Sequence, residues 1–293
     1  MARTPQARSR RVYGKKIRIG VMAPAARIDQ VVVDRVVALA FSTYPDRLAD
    51  IYFHPQCFTS SGHFAGDDAS RAAAFLDIAN DASFDALWFA RGGYGSCRLV
   101  GTIMPHLTKT AGNKTYLGYS DAGSLLAALY KRRFAGLAHG PMPADILRPG
   151  GEAAVARALA YLIDRAPETL EAGVSAEAPT AAFNLTILSQ LLGTPLQPDL
   201  RGHVLMIEEE GEYHYRIDRS LFHVTSNRGI RRVAGIKLGR CGNIPANDRD
   251  FGATEEQMTQ DWCARNGIAY MGRADIGHDI ENKIVPFGRL HPV

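Results

Sequence analysis

Residues 115–130 read TYLGYSDAGSLLAALY, an apolar strand pattern that runs directly into an apolar helix pattern. Gly118 ends the predicted strand, and Ser120 follows two residues later. A serine on such a sharp turn exposes its hydroxyl beside the free backbone N–H groups of a helix N-terminus, which can stabilise an oxyanion. The pattern departs from G-x-S-x-G, because Ala122 stands where the second glycine would be. The motif alone therefore leaves Ser120 open between a nucleophile and a helix N-cap.

The same strand-then-helix order extends through the first half of the chain. Strands are predicted over 17–23, 51–54, 86–90, 115–119 and 136–139. Helices are predicted over 28–41, 70–79, 122–133 and 152–165. Strands that alternate with helices indicate βαβ units and a parallel sheet, so the predicted class is α/β.

The composition changes at residues 166–182, which read APETLEAGVSAEAPTAA and lack a strong periodicity. We interpret this stretch as an interdomain linker. Beyond it, helices are predicted over 184–192, 216–225 and 255–266, and strands over 204–208, 233–238, 268–271 and 284–286. The predicted organisation is a flexible basic tail (1–16), an N-terminal domain carrying the serine (17–165), the linker (166–182) and a smaller β-rich α/β C-terminal domain (183–293).

Charge and cysteine content restrict the function classes. Seven of the 34 basic residues lie within the first 18 residues, which hold no acid, so the rest of the chain carries 27 basic and 30 acidic residues. A nucleic-acid-binding fold would carry a basic patch on its body, and we expect no nucleic-acid partner. No apolar run is long enough to span a membrane. Four scattered cysteines favour a reducing compartment, so the expected location is the cytoplasm.

A glycine-rich loop follows the strand predicted over 86–90. Residues 90–96 read ARGGYGS, and three glycines within four residues permit a close backbone approach to a ligand. The spacing fits neither G-x-G-x-x-G nor a Walker A motif. Arg91 could bind a carboxylate through its planar fork, although a tight structural turn with a solvated arginine explains the loop equally well.

An acid and a histidine in the second half are candidate partners for the serine. The strand predicted over 204–208 ends at Glu208, and His278 follows Gly277 in a turn. A histidine needs an orienting carboxylate to act as a general base. If Ser120, Glu208 and His278 meet, they do so in a cleft between the two domains. Separately, Glu208 could belong to a solvated acidic edge, and His278 is one of nine histidines.

These motifs, in this order, resemble those of the LD-carboxypeptidases, a family of serine peptidases that also includes the microcin C immunity peptidases. The blocks that carry the resemblance span nearly the whole chain: IGVMAP (19–24), FAGDD (64–68), ARGGYG (90–95), GYSD (118–121), HGPM (139–142), NLTIL (184–188), IEEEGE (207–212), YRID (215–218), GH (277–278) and PFG (286–288). The combination of ARGGYG with GYSD is the most specific part.

The resemblance implies a triad of Ser120, His278 and Glu208 that needs no metal and no cofactor. Block alignment selects Glu208 as the acid. Glu210 stays the alternative, because strand alternation points it to the same side. The resemblance also implies an oxyanion hole formed by the backbone N–H groups of Gly93 and Asp121. Arg91 and Gly92 are then expected to contact the substrate, with Arg91 as the candidate ligand for its terminal carboxylate.

The implied fold is a flavodoxin-like N-terminal domain followed by a β-rich C-terminal domain, commonly as a homodimer. The implied reaction removes the terminal D-alanine from cytoplasmic tetrapeptide muropeptides during peptidoglycan recycling. Three alternatives remain at this point. They are a microcin-type immunity peptidase that cleaves a peptidyl-nucleotide amide, an α/β-hydrolase esterase, and a non-catalytic muropeptide sensor.

Overall fold

The computed structural model describes residues 16–45 and 49–290. Its strands are β1 (Ile17–Met22), β2 (Ala49–Phe53), β3 (Ala86–Phe89), β4 (Thr115–Gly118), β5 (Leu137–His139), β6 (Thr180–Asn184), β7 (Val204–Glu210), β8 (Gly235–Gly242), β9 (Tyr270–Arg273) and β10 (Val285–Pro286). Its α-helices are α1 (Gln30–Thr43), α2 (Asp68–Asn80), α3 (Ser96–Ile103), α4 (Gly123–Lys131), α5 (Gly151–Asp164), α6 (Leu185–Leu191), α7 (His214–Ser226) and α8 (Glu255–Asn266). The tail predicted over 1–16 lies outside these residues, apart from Lys16.

The first sheet has the strand order β2-β1-β3-β4-β5-β10. Its first five strands are parallel, and β10 closes the edge antiparallel to β5. Buried side chains of α2, α3 and α4 belong to one core cluster, while those of α1 and α5 belong to another. The helices therefore cover both faces, as in a doubly wound flavodoxin-like fold, where ligands bind beyond the carboxyl ends of the strands.

The second sheet has the order β6-β7-β8-β9, and all its pairings are parallel. Helices α6, α7 and α8 pack in sequence against one another and contribute buried side chains to the same core cluster as α4. At the junction, a Cβ built on Gly123 of α4 would lie 3.4 Å from Ile187 and from Phe183. The two sheets therefore share one continuous core.

The predicted α/β class and parallel N-terminal sheet are confirmed, but three local predictions need correction. Helix α3 was missed, because its start reads as a continuation of the glycine loop. Residues 180–182 of the predicted linker belong to β6, whose five residues are all buried. The strand predicted over 284–286 exists as β10, but it pairs with β5 of the first sheet rather than with the second sheet.

Candidate active site

Ser120 lies at the carboxyl end of β4, in the first residue of a short 3-10 helix that leads into α4. Its φ angle is 59°, in the left-handed region that L-residues with a side chain avoid. Its side chain does not cap the helix that follows, and its hydroxyl has no hydrogen-bond partner among residues 16–45 and 49–290. The N-cap interpretation therefore does not describe the residue, whose hydroxyl lines an open cavity.

The glycine loop after β3 packs directly against this serine. A Cβ on Gly92 would lie 2.8 Å from Ser120 Oγ and 2.9 Å from Ser120 Cβ, so only glycine fits there. Gly93 lines the same cavity with a φ of 133°. Among the turn and loop hydrogen bonds of the described ranges, none uses the amide of Gly93, and Asp121 lies in the first turn after Ser120. The amides of Gly93 and Asp121 stay the predicted oxyanion donors.

The side chain of Asp121 joins the serine turn to the residue that begins α3. One carboxylate oxygen, Oδ2, accepts a hydrogen bond from the backbone N–H of Ser96 at 2.8 Å. This bond joins the turn after β4 to the first residue of α3, and burial raises the pKa of the carboxyl. The bond therefore fixes the position of the glycine loop relative to the turn that carries Ser120.

The acid and the base come from the second half of the chain. His278 Nδ1 lies 2.6 Å from Glu208 Oε2, and the Glu208 side chain is fully buried in β7. Burial alone would lower the pKa of His278, but the Glu208 carboxylate, together with the charges of Glu210 and Asp145, raises the pKa above the usual value. The carboxylate accepts the Nδ1 proton, which leaves Nε2 as the basic nitrogen.

The neighbouring glutamates of β7 have other partners. Glu209 points to the opposite side and accepts hydrogen bonds from Asn184 Nδ2 (2.8 Å) and from Thr186 N (2.9 Å). Glu210 accepts a hydrogen bond from Asn243 Nδ2 at 2.6 Å. Of the three consecutive acids, the structure thus brings Glu208 to the histidine.

Arg240 of β8 holds the loop that carries His278. Its guanidinium binds Asp275 Oδ1 at 2.5 Å and Asp279 Oδ1 at 2.8 Å, on either side of the histidine. Gly277 N also donates to Asn282 Oδ1 at 3.3 Å. Sequence analysis missed these residues. An arginine in a strand can be paired with acids more than 30 residues away only once the fold is known.

A second histidine lies behind the pair. His139 ends β5, is almost fully buried, and has a pKa lowered by that burial to about 4, so it stays neutral near pH 7. The Tyr119 ring lies between the two imidazoles, with ring centroids 5.5 Å from His139 and 4.7 Å from His278. The HGPM block contributes to the family resemblance, but its sequence does not indicate that His139 lies beside the site.

The cavity in front of Ser120 has a volume of about 360 Å³ and is open to solvent. Its lining includes five residues that the sequence predicted for the site: Ser120, His278, Gly92, Gly93 and Arg91. It also includes Asp145 and Arg148, which sequence analysis did not single out. Arg91 is exposed, and its Nη1 donates to the backbone carbonyl of Arg27 at 3.3 Å.

The serine and the histidine line the same cavity. In the described ranges, no hydrogen bond joins Ser120 Oγ to His278. Catalytic contacts of this kind are often long without ligand and shorten in the substrate complex. The described residues also contain no group of three or more His, Cys, Asp or Glu side chains that could hold a metal ion. None of their helices is long and apolar enough to cross a membrane.

A serine with a free hydroxyl, facing an imidazole that a buried carboxylate orients, is the arrangement that forms acyl-enzymes in serine hydrolases. Comparison with protein-family models identifies which serine hydrolase family this chain resembles. Residues 19–140 match the LD-carboxypeptidase N-terminal domain, and residues 177–292 match the LD-carboxypeptidase C-terminal domain. The chain belongs to the LD-carboxypeptidase family and is a serine-type carboxypeptidase.

Individual relatives agree with this assignment. The chain is 28% identical over 280 residues to a "probable murein peptide carboxypeptidase" of Bacillus subtilis, covering 92% of this chain and 86% of that protein. The structure superposes on muramoyltetrapeptide carboxypeptidase from Oxalobacter formigenes with a TM-score of 0.76 and 22% identity, over 92% and 93% of the two chains. It superposes equally well on the microcin C7 self immunity protein MccF, with a TM-score of 0.76 and 17% identity over 94% and 92%. Both structural likenesses concern the fold.

Proposed function

We propose that this protein is an LD-carboxypeptidase that releases the terminal D-alanine from tetrapeptide muropeptides, with Ser120, His278 and Glu208 as its catalytic triad. The observation that carries the proposal is the 2.6 Å contact between His278 Nδ1 and Glu208 Oε2, beside a cavity that also receives the Ser120 hydroxyl. Three residues far apart in sequence supply nucleophile, base and orienting acid at one place.

The reaction follows from these positions. Ser120 Oγ attacks the scissile carbonyl carbon, and its proton passes to His278 Nε2. The backbone N–H groups of Gly93 and Asp121 stabilise the oxyanion. Collapse of the tetrahedral intermediate breaks the C–N bond, and His278 returns the proton to the departing amine of D-alanine. A water molecule then attacks the acyl-enzyme with His278 as base, and the shortened peptide leaves.

The substrate class rests on the relatives. The Bacillus subtilis relative is named for a murein peptide and the Oxalobacter formigenes structure for muramoyltetrapeptide. We extend that substrate to this chain because the family models cover both halves of the molecule, including all three triad residues. A cytoplasmic location in peptidoglycan recycling and a homodimeric state are part of the same proposal. The four cysteines are free, which suits a reducing compartment.

The alternative substrate is a peptidyl-nucleotide, as suggested by the fold shared with MccF. A nucleotide base would be expected to stack on an exposed aromatic side chain. Trp88 is fully buried in β3, with its Nε1 donating to Pro141 O at 2.8 Å, and Trp262 donates to Asp218 Oδ1 at 2.7 Å on α8. Among the described residues that line the cavity, the one Phe, Tyr or Trp side chain is Tyr119, which is 2% exposed. Tyr94 of the glycine loop is 51% exposed but is not among the cavity's lining residues. These contacts favour the muropeptide.

Mass spectrometry tests the proposal directly. The purified protein is incubated with a tetrapeptide muropeptide and, separately, with a nucleotide-linked peptide. We expect the muropeptide to lose one alanine and the nucleotide-linked peptide to stay intact. Cleavage of only the nucleotide-linked peptide would favour the immunity-type reaction, and binding without turnover would favour a sensor.

A further inference from the structure

Arg148 lines the catalytic cavity at the end of a short 3-10 helix (Pro143–Leu147). Its backbone N–H donates to Asp145 O at 3.0 Å, and its side chain is 36% exposed. Arg148 therefore lines the same cavity as Ser120 and His278, and its backbone belongs to an ordered turn. A cation in this position meets any anionic group that a substrate brings to the nucleophile.

Asp145 fixes the orientation of that guanidinium. Asp145 Oδ1 accepts hydrogen bonds from Arg148 Nε at 3.1 Å and from Tyr119 Oη at 2.8 Å, and Asp145 Oδ2 accepts one from Met142 N at 2.8 Å. Asp145 is 6% exposed and is therefore a rigid anchor. Tyr119 directly precedes the serine, so the anchor is tied to the turn that carries the nucleophile.

The bond to Asp145 uses only the Nε edge of the guanidinium. The Tyr119 hydroxyl also interacts with the Arg148 guanidinium. In the described part of the chain, no other residue accepts a hydrogen bond from Nη1 or Nη2 of Arg148. A guanidinium held at one edge presents its remaining N–H groups in a plane, which is the geometry that binds a carboxylate through two parallel hydrogen bonds. Preorganisation of this kind reduces the entropy lost when the ligand binds.

Arg91 lacks these features, although sequence analysis favoured it for the same task. It is exposed, its one hydrogen bond is the 3.3 Å contact to the Arg27 carbonyl, and no carboxylate among the described residues orients it. An exposed, weakly held arginine side chain loses more conformational entropy when it binds an anion than one that is already held in place.

We propose that Arg148, anchored by Asp145, binds the α-carboxylate of the substrate's terminal residue and so restricts the enzyme to removing one C-terminal residue. This assignment rests on the proposed function, because it places the departing residue on the Arg148 side of Ser120. Arg148 is then a substrate-binding residue, and Asp145 is a positioning residue that acts through it. Arg91 is left to contact the substrate elsewhere or to support the glycine loop.

The test compares two substrates that differ only at the carboxylate. One is the tetrapeptide with a free C-terminus, and the other is its C-terminal amide, which is expected to be a poor substrate for the wild-type protein. Arg148→Lys keeps the charge and loses the fork. We expect its kcat/KM on the free acid to fall about 10- to 100-fold, the usual effect of losing a hydrogen bond to a charged group. On the amide we expect a change of less than about threefold.

Three further variants give the comparison its controls. Arg91→Lys should reduce turnover of the free acid less than Arg148→Lys does. Arg35→Lys, on the outer surface of α1, should match the wild-type protein on both substrates. Asp145→Asn keeps the shape of the anchor but loses its charge, and it should raise KM for the free acid more than it lowers kcat. Thermal unfolding of every variant identifies any that has lost its fold.

Each result has a distinct meaning. Equal losses on acid and amide in folded Arg148→Lys protein would overturn the assignment, because Arg148 would then only support the cavity. A larger acid-specific loss in Arg91→Lys would move the assignment to Arg91. A wild-type protein that releases no residue from the free acid would instead overturn the proposed function, and this assignment would fall with it.

Discussion

The two sides of the cavity are built by different physical means. On the first sheet, Ser120 adopts a left-handed backbone conformation and Gly92 leaves no room for a side chain, so shape fixes the nucleophile. On the second sheet, a buried carboxylate, Glu208, holds His278, and Arg240 holds the loop on which His278 lies, so charge fixes the base.

This difference predicts opposite sensitivities. The nucleophile side should respond strongly to one added carbon atom, because a strained turn against a glycine has no space to relax. The acid–base side should tolerate isosteric changes in packing but respond strongly to the loss of one charge, because burial amplifies electrostatic interactions.

The largest expected effect follows removal of the nucleophile. Ser120→Ala should lower kcat by about 10⁴-fold or more while the tetrapeptide still binds, since only the reacting oxygen is lost. Steady-state kinetics and calorimetric binding measure the two parts. Ser124→Ala, one residue into α4, is the matched control and should keep nearly full activity. If Ser120→Ala retained activity within about tenfold of wild type, another residue would have to be the nucleophile.

The next effect tests the charged side. Glu208→Gln keeps the shape of the acid but loses its charge, and kcat should fall by about 10⁴-fold, as in other triads. Glu208 raises the pKa of His278, and burial opposes it. Without the charge the pKa falls, so the acid limb of the kcat/KM profile should move to lower pH.

Glu210→Gln is the control for this shift, because Glu210 lies on the same strand but contacts Asn243. It should move the acid limb less than Glu208→Gln does. A larger shift in Glu210→Gln would show that the orienting acid is Glu210 and that the assignment is displaced by one strand repeat.

A smaller effect is expected from adding one methyl group to the glycine loop. In Gly92→Ala the new Cβ would lie 2.8 Å from Ser120 Oγ, so the serine must move, and kcat should fall by about 10²-fold for a displacement near 1 Å. In Gly101→Ala, on α3, the new Cβ meets nothing within 4 Å, and activity should stay at the wild-type level. Comparable kcat values in the two variants would show that the close packing of Gly92 against Ser120 does not position the nucleophile.

The smallest effect concerns stability rather than turnover. The pKa of His139 is about 4 in the folded protein and 6.5 in the unfolded reference, so the unfolded chain binds more protons between these values. Unfolding free energy should therefore fall as the pH drops from 6.5 to 4, with about 3 kcal/mol of that loss due to His139.

Urea denaturation across this pH range measures the contribution. His139→Gln removes the titrating group, and its stability should depend less steeply on pH than that of the wild-type protein. His223→Gln, at an exposed position on α7, should keep the wild-type slope. Parallel curves for the wild-type and His139→Gln proteins would show that His139 is not held neutral by burial.

Local patterns predicted much of the fold. Alternating strands and helices gave the parallel sheet, and the serine turn and glycine loop were recognisable because each lies within about ten consecutive residues of its strand. The misses have physical causes. Helix α3 begins with Ser96 against the Asp121 carboxylate, a contact 25 residues away, and β6 owes its strand conformation to β7 rather than to its own sequence.

The acid–base half of the site was harder to predict for the same reason. Glu208 lies among similar glutamates, and only the packing of β7 determines which of them reaches His278. The Arg148–Asp145–Tyr119 contacts join residues whose spacing has no recognisable motif. Sequence reasoning therefore chose Arg91, because it lies in a visible glycine loop, and passed over an arginine that the fold holds in place.

The most direct test of the triad is covalent labelling with a fluorophosphonate, a reagent that reacts with activated serine hydroxyls. We predict one label per chain, located by peptide mass mapping on Ser120. Activity should be lost in proportion to labelling, and the reaction should be much slower in His278→Gln. A label on another residue that accompanies inactivation, or full activity with Ser120 modified, would contradict the proposed site.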